Sequence, residues 1–458
     1  MKTIDQNIFK SYDIRGIVDT QLNTSIVFEI ARAIGTETQL RQRKNIIVAR
    51  DARLSSPELA KAAIEGLRST GCDVTDIGEV PTPVLYFATN TLGIDSGIMI
   101  TGSHNPANYN GIKMVLAGET LANQKIQALY TRIQNQDFLN GAGSYCEKPI
   151  LDAYLNHIVE HIHLPRRLKV VIDCGNGVAS VIAPQLFKAL GCDVIELFCE
   201  CDGRFPNHHP DPSVPKNLET LIETVLKNKA DVGFAFDGDG DRLGVVTNQG
   251  EIIWPDRLMM LFAKDVLSRH PNAPIVYDVK CSKHLITWIK QHGGQATMAQ
   301  TGHSLIKARM REIESPLAGE MSGHIFFQDR WFGSDDGVYS AARLLEILAQ
   351  SSKSLSTICQ ALPNSTNTPE IKIAIPEEQK FSFIETFKRE TTFFDAELIT
   401  IDGLRVEYPN GWGLIRASNT TSHLILRFEA DTVSALEKIQ SIFKEQILKV
   451  NDQLSIPF

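Results

Sequence analysis

Asp237-Gly238-Asp239-Gly240-Asp241-Arg242 sets three carboxylates at alternate positions, separated by glycines that permit tight turning. Carboxylates so spaced can converge on one hard cation, and without a cation their mutual repulsion is unfavourable. An EF-hand loop is excluded, because Arg242 stands at its sixth position, which needs glycine, and Asn248 at its twelfth, which needs glutamate. Few oxygen ligands and open positions favour Mg²⁺ completed by phosphate or water. The competing reading is a solvated acidic turn.

Three further segments gather polar chemistry. Thr101-Gly102-Ser103-His104-Asn105-Pro106 follows the strand-like run Gly97–Ile100, which puts Ser103 on a loop at a strand end; Lys113 follows on Gly111–Val115. No G-x-S-x-G elbow surrounds Ser103, so hydrolase-type activation is not supported, and Gly, Asn and Pro equally suit an ordinary turn. Gly319-Glu320-Met321-Ser322-Gly323-His324 places a carboxylate, a hydroxyl and an imidazole at alternate positions. In an extended segment these share one face, suited to gripping sugar hydroxyls, with a solvated strand as the plain alternative. Arg416-Ala417-Ser418-Asn419-Thr420-Thr421-Ser422 joins a guanidinium to hydroxyls, an amide and backbone N–H groups. That is a cradle for phosphate, or else a Ser/Thr turn.

Two patterns imitate other chemistries. Gly175-Asn176-Gly177-Val178-Ala179-Ser180 follows a strand and opens a helix, with Glu196 about 20 residues on, as a dinucleotide fingerprint would, but Ser180 breaks its third small position. Cys199, Cys201, His208 and His209 lie close together like a zinc cluster, yet their spacing suits no common structural finger.

The elements that must position these residues repeat. An amphipathic helix ends in Gly-Cys-Asp-Val at Gly71–Val74 and again at Gly191–Val194; Gly293-Gly294-Gln295-Ala296 is a weaker copy after the helical pattern His284–His292. In each, glycine stops the helix and an apolar run follows. Apolar runs also precede each helix, at Ile46–Ala49, Leu168–Ile172 and Ile275–Tyr277. Copies roughly 100 to 120 residues apart are too widely spaced for a solenoid and predict three related α/β domains. Beyond a polar, Pro-bounded linker, Asn364–Pro369, the alternating runs Glu370–Ile375 and His423–Glu429 and the helical pattern Thr432–Lys449 predict a smaller α+β domain. The expected domains are 1–149, 150–251, 252–363 and 364–458, one for each loop described above.

Composition narrows the function. The 458 residues include 46 Lys+Arg against 54 Asp+Glu, a formal net charge of -8. That argues against general nucleic-acid or membrane-surface binding, and the basic groups for an anionic substrate must be gathered locally. No signal-peptide pattern opens the chain, and no apolar run approaches the ~18 to 20 residues of a membrane span. The 8 scattered cysteines read as reduced thiols, so the expected location is the cytoplasm.

Further segments lie in order among these: Phe9-Lys10-Ser11-Tyr12-Asp13-Ile14-Arg15-Gly16, Asp173-Cys174-Gly175-Asn176-Gly177, Pro206-Asn207-His208-His209-Pro210, Asp278-Val279-Lys280-Cys281-Ser282 and Thr301-Gly302-His303-Ser304. The ordered set, spanning nearly the whole chain, resembles the α-D-phosphohexomutase family in its bacterial phosphomannomutase/phosphoglucomutase branch. The resemblance takes in the Gly175 turn and His208-His209 as family elements without a nicotinamide or zinc role. It implies a four-domain, heart-shaped enzyme with one motif from each domain lining a central cleft. Ser103 would be the phosphoserine, and Asp237, Asp239 and Asp241 would hold Mg²⁺ together with an oxygen on Ser103. Arg15, Lys113, Arg242, Lys280 and His303 would line the phosphoryl-transfer site, with His104 beside the serine. Glu320, Ser322 and His324 would meet the sugar, Tyr12 would contact substrate, and Arg416, Ser418, Asn419 and Thr420 would hold the phosphate that is not transferred.

The implied reaction interconverts hexose 1-phosphate and hexose 6-phosphate, of mannose, glucose or both, through a hexose 1,6-bisphosphate that reorients in the site. The Ser103 and Glu320 loops look like the mannose/glucose branch; phosphoglucosamine mutases more often carry Ser-Ala-Ser-His-Asn-Pro. The alternatives are a phosphoglucosamine mutase, a Mg²⁺-dependent sugar-phosphate phosphatase, which has no need of a second phosphate grip, and a non-enzymatic binding protein, which would require Ser103 to be inert. The expected partners are small sugar phosphates, with neither nucleic acid nor membrane, and the expected assembly is a monomer or weak homodimer.

Overall fold

The computed structural model describes residues 4–419 and 421–458. Three of its sheets share one strand plan. The first sets Asp73–Glu79, Asn45–Arg50, Gly97–Ile100 and Tyr109–Leu116 side by side. The second does so with Asp193–Leu197, Lys169–Asp173, Val232–Phe236 and Leu243–Thr247, and the third with Gln295–Ala299, Pro274–Asp278, Leu317–Gly319 and Ile325–Phe327. In each set the first three strands run parallel and the fourth returns antiparallel. That return is where the chemistry lies: the Ser103, Asp237 and Glu320 loops each join the third strand of a set to its fourth.

The repeated joints have one physical cause. Gly71, Gly191 and Gly293 take φ values of 94°, 86° and 78°, a left-handed turn that glycine adopts without strain. Each closes a helix, Ser56–Ser69, Ala183–Ala189 or Lys283–Gln291, and hands the chain to the next parallel strand.

Strand residues alternate between two cores. Ile47, Ala49, Ile172, Phe234, Ile275 and Tyr277 point into a single apolar core shared by the first three sheets. Their neighbours Ile46 and Val48, Val171, and Val276 point into three separate outer cores, each covered by that domain's own helices. These strands are buried on both faces, as parallel sheets with helical cover require.

The fourth sheet is antiparallel throughout, in the order Thr366–Asn367, His423–Ala430, Gly411–Ala417, Leu404–Tyr408 and Glu397–Ile399. Ile371–Ala374 also pairs with His423–Ala430. Its own core includes Phe387, Phe428 and Phe443, under the helices Lys380–Glu390 and Val433–Val450. The expected linker is partly sheet: Thr366 and Asn367 pair with Ala430 and Glu429. A two-residue strand needs backbone hydrogen bonds and no apolar alternation, so its polar side chains concealed it.

Main-chain contacts fasten the domains. Arg242 and His324 form an isolated antiparallel bridge, and Leu243 N–H donates to the Gly323 carbonyl at 3.1 Å. The fourth domain grips the turn after Pro274–Asp278: Arg405 Nη1 donates to the carbonyls of Val279 and Cys281 at 2.6 and 2.7 Å, and Arg427 donates to that of Lys280. Among the described residues, no helix is long and apolar enough to cross a membrane.

Candidate active site

Ser103 stands at the tip of the first return with φ 48° and is almost wholly buried. Its Oγ donates to Asp237 Oδ2 at 3.2 Å and lies 3.1 Å from His104 Nδ1. Arg53, which no sequence motif marked, fixes the loop from beneath. Its guanidinium donates to four carbonyls, those of Ser103, Asn105, Pro106 and Tyr109, at 2.6 to 2.9 Å. A Cβ on Gly102 would stand 2.5 Å from that guanidinium, so the glycine makes room for it. Arg15, on the strand Ile14–Ile17, pairs across the sheet with Gly111 and donates from Nη1 to Asn105 Oδ1 at 2.5 Å.

Below the serine, Asp237, Asp239 and Asp241 are wholly buried, with one oxygen from each within 4.8 Å of the others. Lys113 Nζ bonds Asp239 Oδ2 at 2.7 Å and Asp241 Oδ2 at 2.5 Å, and Thr82 Oγ1 donates to Asp239 Oδ2 at 2.6 Å. Although burial opposes it, these two carboxylates hold the Lys113 ammonium well above its ordinary range, so it stays charged. Burial, followed by the charges of Asp241 and Asp239, holds Asp237 well above the ordinary carboxylate range. Asp239 Oδ1 and Asp241 Oδ1 are buried without a hydrogen-bond partner. Three carboxylates against one ammonium, with two orphaned oxygens, fit a divalent cation. The Gly175 turn buttresses this loop: Val178 N–H donates to the Gly238 carbonyl at 3.2 Å. Its neighbours are held by ordinary contacts, with His208 Nε2 3.0 Å from Asp173 Oδ2 and all eight cysteines free thiols.

The Glu320 segment is a tight turn rather than the extended run expected from alternation. Gly323 N–H donates to the Glu320 carbonyl at 3.1 Å and Glu320 N–H to that of His324 at 2.9 Å, closed by Gly323 at φ 99°. The glycine's freedom at positive φ decides the conformation over the polar alternation. Glu320 Oε1 accepts the Gly302 N–H at 2.5 Å, and burial raises its carboxyl. Ser322 Oγ is buried without a hydrogen-bond partner. His324 lines the same cavity as Glu320 and Ser322; its Nε2 lies 3.1 Å from Arg242 Nε and its Nδ1 3.1 Å from Asp335 Oδ2. His303 opens the helix His303–Glu312; burial and then the Lys307 charge hold it well below the ordinary imidazole range. Lys280 Nζ bonds Glu370 Oε1 at 2.6 Å across the third and fourth domains, which commits its charge to a carboxylate.

On the fourth domain, Arg416 Nε donates to Asp402 Oδ2 at 2.9 Å, while its Nη2 is buried and unpartnered. Thr421 N–H donates to Ser418 Oγ at 3.1 Å, and Asn419 Nδ2 reaches the Thr301 carbonyl at 3.4 Å. Thr420 lies outside the described residues.

One cavity of about 820 Å³ takes in these groups. The first domain gives Tyr12, Arg15, Ser103, His104 and Lys113, and the second gives Arg242. Lys280, His303, Glu320, Ser322 and His324 come from the third; Arg416, Ser418 and Asn419 come from the fourth. The three aspartates do not line it; they lie behind Ser103 and Lys113, which bond to them.

Four family profiles match the chain in order: Phosphoglucomutase/phosphomannomutase alpha/beta/alpha domain I at residues 6–140, domain II at 152–250 and domain III at 254–366, and the C-terminal domain at 370–446. The chain belongs to the phosphoglucomutase/phosphomannomutase family. This family member is 55% identical over 456 residues to a phosphomannomutase/phosphoglucomutase of Pseudomonas aeruginosa, covering 100% of this chain and 98% of the relative. It is 50% identical over 461 residues to a phosphoglucomutase of Neisseria gonorrhoeae, with both chains covered fully. The crystal structure of a phosphoglucomutase/phosphomannomutase family protein from Burkholderia thailandensis superimposes with a TM-score of 0.95 at 50% identity, covering 100% of both chains.

Proposed function

We propose that this enzyme, a hexose-phosphate mutase, interconverts hexose 1-phosphates and hexose 6-phosphates of mannose, glucose or both. The reaction runs through a phosphorylated Ser103 and a hexose 1,6-bisphosphate that turns end for end. One observation supports this reading: a single cavity is lined by two separate groups chemically suited to a phosphate, Ser103 with its neighbouring cations, and Arg416 with an unpartnered Nη2. A phosphatase needs only the first.

In the first half-reaction the bond between phosphorus and Ser103 Oγ breaks, a bond to the sugar hydroxyl oxygen forms, and that hydroxyl's proton passes to a neutral acceptor. His303 is held neutral by burial; so is His104, with the charges of Arg242 and Arg15 assisting. Lys113, which bonds Asp239 and Asp241, is a further candidate acceptor once those carboxylates are taken up by Mg²⁺. Arg15 and Arg242 meet the negative charge of the transferred group. Mg²⁺ bound by Asp237, Asp239, Asp241 and an oxygen on Ser103 would neutralise part of that charge. Arg416, with Ser418, Asn419 and Thr420, holds the other phosphate in both orientations, while Glu320 and Ser322 hold sugar hydroxyls. A grip away from carbon 2 distinguishes mannose from glucose poorly. The domain limits 149, 251 and 363, a cytoplasmic location and a monomer or weak homodimer belong to the same proposal.

The test is ³¹P NMR of the protein with mannose 1-phosphate, Mg²⁺ and a trace of hexose 1,6-bisphosphate, beside Ser103→Ala. The native tube is expected to accumulate the 6-phosphate signal and the variant none. Inorganic phosphate in the native tube would make the enzyme a phosphatase, and conversion by Ser103→Ala would remove the serine as donor.

A further inference from the structure

Asp335 belongs to none of the motifs above, yet it lies wholly buried just before the helix Gly337–Ala349. Its Oδ1 accepts from Lys307 Nζ at 3.0 Å. Its Oδ2 lies 3.1 Å from His324 Nδ1 and 3.8 Å from His303 Nδ1. The opposite nitrogen of His324, Nε2, lies 3.1 Å from Arg242 Nε.

The chemistry of the contacts settles the proton. An arginine Nε–H is a donor only, so His324 Nε2 must be the acceptor. A proton on Nε2 would set two donors against each other. The imidazole proton therefore sits on Nδ1, the side that faces the Asp335 carboxylate. The Arg242 guanidinium fixes the ring's tautomer, and the Asp335 carboxylate, in polar contact at 3.1 Å with Asp241 Oδ1 3.5 Å away on the same side, orients the ring, as outer partners do for ligating histidines. Lys307 holds the carboxylate in turn, and its own Nζ stands 4.0 Å from the centre of the Tyr86 ring.

We propose that Asp335 is a positioning residue: through His324 it holds the Arg242 guanidinium in the orientation that meets the phosphoryl group transferred at Ser103. The proposal rests on the mutase reading for what Arg242 does there, and on contact geometry alone for the Asp335–His324–Arg242 relay.

Turnover of native enzyme, Asp335→Asn, His324→Gln and the double variant tests it. Asp335→Asn is expected to lower kcat about 10- to 100-fold, with KM within about threefold. The double variant is expected to be no slower than His324→Gln alone, because the relay passes the carboxylate's effect on Arg242 through the His324 ring. Additive losses, or an unchanged kcat in a folded Asp335→Asn, would overturn the proposal. A second readout does not depend on activity: long-range ¹H–¹⁵N spectra of histidine-labelled protein, with His324→Gln supplying the assignment. Native His324 is expected as the Nδ1–H tautomer, and an Nε2–H tautomer would overturn the relay even if Asp335→Asn fails to fold. Should the native enzyme interconvert no sugar phosphate, the mutase reading fails, and the tautomer still decides the relay.

Discussion

Arg53 shapes the loop that carries Ser103, a residue it touches only through backbone. By collecting four carbonyls it holds Ser103 at a positive φ that a serine would otherwise avoid. Lysine has the charge without the fork, so it cannot span those carbonyls. Arg53→Lys is expected to lower kcat about a hundredfold, since small displacements of reacting atoms carry penalties of that size. Phosphorylation of Ser103 by hexose 1,6-bisphosphate, read by intact mass, should slow in parallel; a native rate would separate the loop's geometry from Arg53. The three aspartates stood out in the sequence because residue type and local spacing are their signal, whereas Ser103, whose loop equally suits an ordinary turn, was marked only by the ordered set of motifs. Arg53 and Asp335 were not, because each works by a contact with a segment distant in the chain. The alternation at Glu320 misled for a related reason, since Gly323 turns the backbone where polar spacing suggested a strand.

Among the elements, the helix-to-strand joints were the most readable feature. Three glycines at positive φ do the same work in three domains, so the repeat survives in sequence. The matching strand returns, where all three loops sit, were hidden because strand order leaves no mark on local pattern. The helix Gly337–Ala349 carries a testable strain. Its N-cap, Asp336, accepts the Tyr339 N–H at 2.8 Å and the Tyr154 hydroxyl, yet burial pushes its carboxyl up to about 7. An unfolded aspartate titrates near ~3.9, so between roughly pH 4 and 7 the folded state holds a proton that the unfolded state has lost. Its contribution to stability therefore falls as pH rises through that window. The unfolding free energy of native protein minus that of Asp336→Asn is expected to drop by about 1 kcal/mol per pH unit between pH 5 and 7 and to level off near pH 8. Urea titrations at those pH values check it, and a rising difference would mean that the cap is held as an anion.

At the scale of the molecule, the first three domains share a core and the fourth is seated by guanidiniums. Arg427 is buried, reaches the Lys280 carbonyl, and bonds Asp256 Oδ2 at 3.2 Å. Arg405 stacks over Trp412 at 3.7 Å while gripping the same turn. Removing one partner from such a buried pair costs about 3–5 kcal/mol, because a charge is left without its counterpart. Arg427→Met is expected to loosen the seat: proteolysis between 363 and 370 should quicken and KM for sugar phosphate should rise. Native cleavage rates would place the seat elsewhere. Four domains could be counted from the sequence, but the shared core of the first three and the buried arginines beneath the fourth could not, since both are contacts between units.

The order of the four loops along the chain has a consequence for how the protein is made. Ser103 leaves the ribosome about three hundred residues before Arg416, roughly 15 to 60 s earlier at ~5–20 residues per second. On the proposed mechanism, a nascent chain during that interval has its phosphate donor and no grip for the second phosphate. By the same proposal, a chain truncated before the fourth domain would keep the Ser103 loop and lack the Arg416 loop that holds the bisphosphate while it turns.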